Sequence, residues 1–358
     1  MPDKSLMGNS ALSIPGSIEY RHGFPIKSTL ILSVVAFIAI ALPVLLMSLG
    51  ILDNYLVFIL TMGGVNAIMA ISVNTIVGIT GQLSLGQAGF LTIGAYACIF
   101  FNMDIGLPLP LAAVCAVLVT GIAGFIIGFP VLKLSGDYLA IVTLGFGEIL
   151  RIIFINIPRI TGGPNGRSFV TMMMLNSTLA FTVVTVAVVV VLALLQNFLR
   201  SSYGRAIKAC REDEIAANSS GIDIFRYKMI GFVIAAVIAG IGGCLFAMVI
   251  GIVQPANAMF LRSIDYLIFV VLGGMGSMTG SVLAAYVLTG LQEFLRFLPR
   301  NLQDLRLIVY ALILIFVMIF RPKGLLGMKE FSFVHTWDML VNFVKGKNRK
   351  QKGEASNA

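Results

Sequence analysis

Charge is scarce in this 358-residue sequence. Asp, Glu, Lys and Arg make up only 11% of it, against 58% hydrophobic residues, and the mean hydropathy is +0.97. A soluble domain carries about 25% charged residues, so these are too few to cover a water-facing surface, and the chain's solvent is largely lipid. Histidine is scarcer still: His22 and His335 lie in opposite tails, which leaves no zinc or catalytic His cluster. The four cysteines, Cys98, Cys115, Cys210 and Cys244, form no C-x-x-C pair and read as small free hydrophobes rather than metal ligands. No phosphate-cradling G-x-x-x-x-G-K-[ST] occurs, and the nearest string, VKGKNRK, lacks its first glycine, so the chain is not expected to bind ATP by itself. No nucleophile–base pair suggests an enzyme. Catalytic residues, metal and cofactors are therefore all expected to be absent. The net charge of +9 sits in short loops and tails between apolar runs, where membrane topology places it, and it does not point to a nucleic-acid partner.

What is abundant is long apolar runs, at 29–50, 55–77, 87–101, 107–132, 138–157, 177–199, 229–253, 264–275, 279–298 and 306–320. Most match a hydrocarbon core of about 30 Å. The first, of about 22 residues, is too long for a signal-peptide core and reads as a retained span. The fold class is an all-α polytopic integral membrane protein with about ten transmembrane segments, or eight if the short runs 87–101 and 264–275 are re-entrant. Orientation follows from Lys and Arg. The 200–228 loop carries Arg200, Arg205, Lys208, Arg211, Arg226 and Lys228, and the stretch after the last apolar run, from Arg321 to the C-terminus, carries eight more basic residues. Both are expected to be cytoplasmic. The resulting division is a cytoplasmic tail over 1–28, a membrane domain over 29–325 and a basic cytoplasmic tail over 326–358. Arg159, Arg167, Arg296, Arg300 and Arg306 fall outside in this scheme, against the general rule.

Four segments carry chemistry. TGQLSLGQAGF places Gln82, Ser84 and Gln87 among three glycines between apolar runs. Broken backbone at membrane depth survives only when buried in protein or lining a wet cavity, so the three residues are a candidate permeation path or a tight glycine-packed turn. Glu148 and Arg151 lie at i and i+3 inside the run 138–157, on one helical face. They read first as a structural intramembrane ion pair and secondarily as a gating element, with Glu148 taken as the only acidic residue deep in a span. TGGPNG, from Thr161, is a turn-rich outer loop. The fourth, GRAIKACREDEIAANSSGIDIFRYK, has no Pro or Gly from Arg205 to Ser220 and reads as a helix on the cytoplasmic side. Its acidic run Glu212, Asp213, Glu214 favours a protein partner over anionic lipid. GQLSLGQAGF and GGMGSMTGSV, the latter from Gly273, are loosely alike and could mark corresponding breaks in two halves of a repeat.

These motifs carry a resemblance. REDEIAANSSGI, with Ala216 and Ala217 followed by Gly221, resembles the EAA-type cytoplasmic loop of ABC importer permeases. Together with TGQLSLGQAGF, GDYLAIVTLGFGEILRI, TGGPNG and LGGMGSMTGSVLAA, the pattern is similar to the permeases of branched-chain amino acid importers, and within them to the LivM type, over roughly residues 30–325. Ile215 stands where the general pattern has glutamate, and the distal I-x-L-P is missing. The resemblance implies a multi-pass subunit of the bacterial inner membrane, surrounded by membrane lipid, that imports leucine, isoleucine or valine. Its implied partners are a second homologous permease, two cytoplasmic ATP-binding subunits and an extracytoplasmic substrate-binding protein. It implies an ATPase-coupling loop formed by Arg205, Lys208, Arg211, Glu212, Asp213, Glu214, Ala216, Ala217 and Gly221. The competing readings are an ABC permease for another small solute such as urea, and an ion-coupled secondary transporter.

Overall fold

The computed structural model describes residues 53–134, 136–297, 306–320 and 324. The expected span 29–50 and both tails lie outside the described residues. The apolar runs become helices: α1 (Asn54–Asn74, continued as a π-helix over Thr75–Thr80), α2 (Gln87–Ile99, continued over Phe100–Asp104), α3 (Leu109–Val131), α4 (Asp137–Asn156) and α5 (Ser177–Arg200). The polar loop forms α6 (Ser202–Glu212) and α7 (Glu214–Ser219). Then come α8 (Ile224–Ile250), α9 (Phe260–Gly273), α10 (Met278–Phe294) and α11 (Arg306–Phe320). Five of these, α1 (with its π-helical extension), α3, α4, α5 and α8, are long and apolar enough to cross a membrane. The pair α9 and α10, bent by 120° at Gly274–Ser277, satisfies the same test as one broken span. Among the described residues the only strands are a two-residue antiparallel pair, β1 (Arg167–Ser168) with β2 (Ile252–Val253).

α1 and α8 form the centre, and α8 packs along α1, α2 and α3. In lipid there is little hydrophobic drive between helices, so close backbone approach has to hold them together. α8 supplies it with glycine. A β-carbon on Gly94 of α2 would lie 2.6 Å from the Gly240 carbonyl oxygen, and one on Gly124 of α3 would lie 2.5 Å from the Ala236 β-carbon. The outer surface is apolar, as on α3, where Leu111, Leu118, Ile122, Phe125 and Ile126 are exposed. That pattern fits a lipid-facing helix and would be a liability in water.

Candidate functional site: where two glycine breaks meet the polar loop

The end of α1, just ahead of the first glycine-rich segment, meets the second one in the α9–α10 turn. α1 ends in the π-helix Thr75–Thr80, closed by Gly81 in the left-handed region (φ 71). Asn74, fully buried, reaches across to the α9–α10 turn. Its Oδ1 accepts from the Gly276 N–H at 2.8 Å, and its Nδ2 donates to the Ser277 carbonyl at 2.9 Å and to Ser281 Oγ at 3.0 Å. Gly78 packs against both Asn74 and the Gly276 nitrogen. One amide therefore locks the two breaks together.

The polar loop reaches the same point through Arg211. Its Nη1 donates to the Gly78 carbonyl and lies beside Gly276, while its aliphatic stem covers Gly81. Arg211 is thus turned toward the bundle against three glycines at the helix breaks, and is only partly exposed. α6 is anchored further by Ile207 and Cys210, both buried.

The single helix expected over roughly 205–217 is in fact two. Asp213 takes an extended conformation (φ −156, ψ 108), and its carboxylate accepts from the Ile215 and Ala216 N–H groups at 2.8 and 3.0 Å. An aspartate this well suited to capping starts a new helix inside a stretch that has no Pro or Gly to break it. α7 then ends in a Schellman turn: the Ile222 N–H donates to the Ala217 carbonyl and the Gly221 N–H to the Asn218 carbonyl, with Gly221 at φ 79. Glu214 holds α7 to α8 by accepting from Lys228 Nζ at 2.6 Å. Ala217 is 5% exposed and packs inward, whereas Ile215 is 81% exposed and protrudes. The outward surface includes Arg205, Lys208, Glu212, Asp213, Glu214, Ile215 and Ala216, with Ala217 buried and Arg211 turned toward the chain itself.

Gln82, Ser84 and Gln87 are all buried, Gln87 completely. Gln87 meets Ser72 Oγ at 3.0 Å, which in turn donates to the Ala235 carbonyl at 2.7 Å. The Leu85 and Ala88 N–H groups, leading into α2, donate to Thr143 Oγ1 and Ser263 Oγ, both at 3.0 Å. These contacts tie α2 to α1, α4 and α9 inside the chain, and the three side chains line no cavity among those described.

Glu148 and Arg151 do pair, Nε to Oε2 at 2.7 Å, with both side chains under a third exposed. Glu148 Oε1 also accepts weakly from the Phe260 N–H at the start of α9, at 3.4 Å, where a negative charge suits the helix N-terminus. Removing one partner of a buried pair costs about 3–5 kcal/mol, and partial exposure reduces that. Glu148→Gln or Arg151→Gln alone is expected to lower the yield of inserted, monodisperse protein, and the double change to recover part of it. Additive losses would mean that the pair is not coupled.

At the other end of the bundle TGGPNG folds into consecutive turns. Gly162 and Gly166 both have positive φ (75 and 77), and a β-carbon on Gly166 would overlap the Val253 carbonyl oxygen. Beside it Arg167 makes a two-pronged ion pair with Asp104 at 2.6 and 2.7 Å, which holds the Asp104 carboxyl below its ordinary range. A depressed carboxylate contributes its stability above the unfolded value, near pH 4, and loses it as pH falls through the lowered folded value. Asp104→Asn is expected to make unfolding less acid-sensitive in that window, by a small amount because the pair is solvent-exposed. An unchanged acid profile would show that the pair contributes nothing.

Two charged residues escaped the sequence reading. Arg262 and Asp265 lie within α9, which begins at Phe260, ahead of the apolar run at 264. Asp265 is thus a second acid, beside Glu148, within an apolar helix. The signal was present in RSID, a charge pair at i and i+3 flanked by apolar residues, like that of Glu148 and Arg151.

Comparison with known proteins places these features. Residues 55–318 match the family described as branched-chain amino acid transport system, permease component. The chain is 38% identical over 335 residues to the high-affinity branched-chain amino acid transport system permease protein LivM of Salmonella typhimurium, covering 86% of this chain and 76% of that relative. LivM of Escherichia coli is 37% identical over the same coverage. LivH of Escherichia coli is 34% identical over 136 residues, covering 37% of this chain and 42% of that relative. No solved structure matches the chain.

Proposed function

The chain belongs to the family of branched-chain amino acid transport permease components, and from that premise we propose that it is the membrane-spanning subunit of an ATP-driven importer of leucine, isoleucine and valine in a bacterial inner membrane. It is a transport subunit, not an enzyme. In this reading a second homologous permease completes the pore, two separate cytoplasmic ATP-binding subunits drive it, and an external binding protein delivers substrate. The observation that carries the mechanism is Arg211, which joins α6 to the break in α1 and to the α9–α10 turn.

The outward surface of α6 and α7 docks on an ATP-binding subunit, with Ile215 as its apolar anchor and Arg205, Lys208 and Glu212 around it. Closure of the ATPase pair pushes this rigid element. Arg211 and Asn74 then pass the displacement to α1, α9 and α10, whose glycine breaks are the places where the backbone can yield. The outward face of α4 meets the second permease. It exposes Tyr138, Ile141, Ile149 and Ile152 beside the partly exposed Glu148–Arg151 pair, and charges at membrane depth favour a protein neighbour over lipid.

Uptake by cells that depend on this transporter, measured with a panel of solutes, tests the substrate class. Leucine, isoleucine and valine are expected to compete with one another while urea has no effect. Competition by urea alone would move the assignment to the other solute class. Cysteines at 205, 208, 212 and 215 are expected to cross-link to the ATPase chain, and those at 207 and 210 are not.

A further inference from the structure

A cavity of about 740 Å³ lies away from the coupling region, between α1, α8, α9, α10 and α11. Phe58, Met62, Phe246 and Ile250 give it an apolar wall, and Asn66, Gln254 and Asn257 give it neutral polar groups. Four charged residues also line it. Glu293 and Arg296 satisfy each other at 2.9 and 3.0 Å, and the Tyr55 hydroxyl donates to Glu293 at 2.9 Å. Arg262 and Asp265 differ. They stand one turn apart on α9 and face the same cavity, yet among the described residues they form no ion pair with each other or with any other group.

Opposite charges at i and i+3 are neighbours that readily join; here Arg262 is exposed and Asp265 partly buried, both lining the one cavity, and ionisable groups in a membrane domain mark substrate pathways. A ligand bearing both signs close together would complete both at once. We infer that this cavity binds the zwitterionic backbone of a free amino acid. Asp265 accepts from the α-ammonium group, Arg262 donates to the α-carboxylate, and the apolar wall takes the aliphatic side chain. The neutral groups leave room for water around the charged end. The inference rests on the proposed function for the identity of the ligand, and it gives the permease a weak entry site of its own.

The test uses the assembled transport complex in discs of phosphatidylglycerol, which removes zwitterionic lipid headgroups, with radiolabelled leucine and no binding protein. Saturable leucine binding is expected. Asp265→Asn and Arg262→Gln are each expected to weaken it by about tenfold or more, since both leave a charged ligand group unpaired. Each variant complex should run as a monodisperse size-exclusion peak holding all its subunits, showing that it is folded and assembled. Leucinamide, which lacks the carboxylate, is expected to bind weakly, to be weakened further by Asp265→Asn and to be unaffected by Arg262→Gln. A purely structural role for the two residues would not separate the ligands in this way. Absence of saturable binding by a wild-type complex that transports leucine, leucine binding unchanged in both variants, or leucinamide binding lost equally in both would overturn the site. A wild-type complex that transports no branched-chain amino acid would instead overturn the proposed function, and the assigned ligand with it.

Discussion

Replacing Arg211 with alanine is expected to lower ATP-driven uptake by roughly tenfold to a hundredfold while ATP hydrolysis by the complex continues. The side chain ties α6 to the Gly78 carbonyl and stands beside Gly81 and Gly276. A hydrogen bond from a charged group contributes about 1.5–3 kcal/mol, which corresponds to roughly ten- to a hundredfold in the population of the engaged state. Without it α6 still has Ile207 and Cys210 buried against the bundle, so the variant should insert and assemble. What it loses is the connection through which movement of α6 reaches the breaks in α1 and between α9 and α10. Arg211→Lys keeps one donor and the charge but not the planar guanidinium, and should recover part of the uptake. The measurement is the ratio of substrate transported to ATP hydrolysed in proteoliposomes. A ratio unchanged in Arg211→Ala would remove Arg211 from the coupling route.

Replacing Gly243 with valine is expected to abolish recovery of folded protein. A β-carbon there would overlap the Leu91 carbonyl oxygen and lie 3.0 Å from the Ala95 nitrogen. The obstacle is backbone, which cannot turn aside as a side chain does, so α2 and α8 would have to separate. Gly94 and Gly240 lie on the same crossing, the latter with a β-carbon position 2.8 Å from the Thr120 β-carbon of α3, so separation would loosen α3 as well. Packing is the main term holding helices together in lipid, and little remains to offset its loss. Size-exclusion profiles in detergent should show aggregate in place of a monodisperse peak. Gly145, whose β-carbon position meets nothing within 4 Å, is the control, and Gly145→Val should leave the profile unchanged. A monodisperse Gly243→Val protein would contradict the crossing described here.

The helices were legible because a membrane span is written almost entirely in hydropathy. The runs 107–132, 138–157 and 177–199 fall within a few residues of α3, α4 and α5. The break between α6 and α7 was not, because Asp213 sits in a pattern that continues a helix, and only its backbone conformation shows that it caps a new one. Which way Arg211 and Ala217 point was equally hidden. Both belong to the loop motif, and spacing alone does not say which face of a helix meets its own chain and which meets a partner. The contact between the end of α1 and the α9–α10 turn was hidden as well: it is made by Asn74, which lies outside both glycine-rich segments. Arg262 was missed for a simpler reason: as a charged residue it delayed the start of the apolar run at 264, but it does not interrupt the helix begun at Phe260.

The central claim, that this chain carries branched-chain amino acids under the drive of a separate ATPase, is tested most directly by leucine uptake into proteoliposomes holding the complete complex. ATP is supplied on the side of the α6–α7 loop and the loaded binding protein on the other. Uptake that requires both, and that stops when ATP is replaced by a non-hydrolysable analogue, is the predicted result. Leucine uptake that proceeds without ATP when a proton or sodium gradient is imposed would contradict the account and establish an ion-coupled transporter instead.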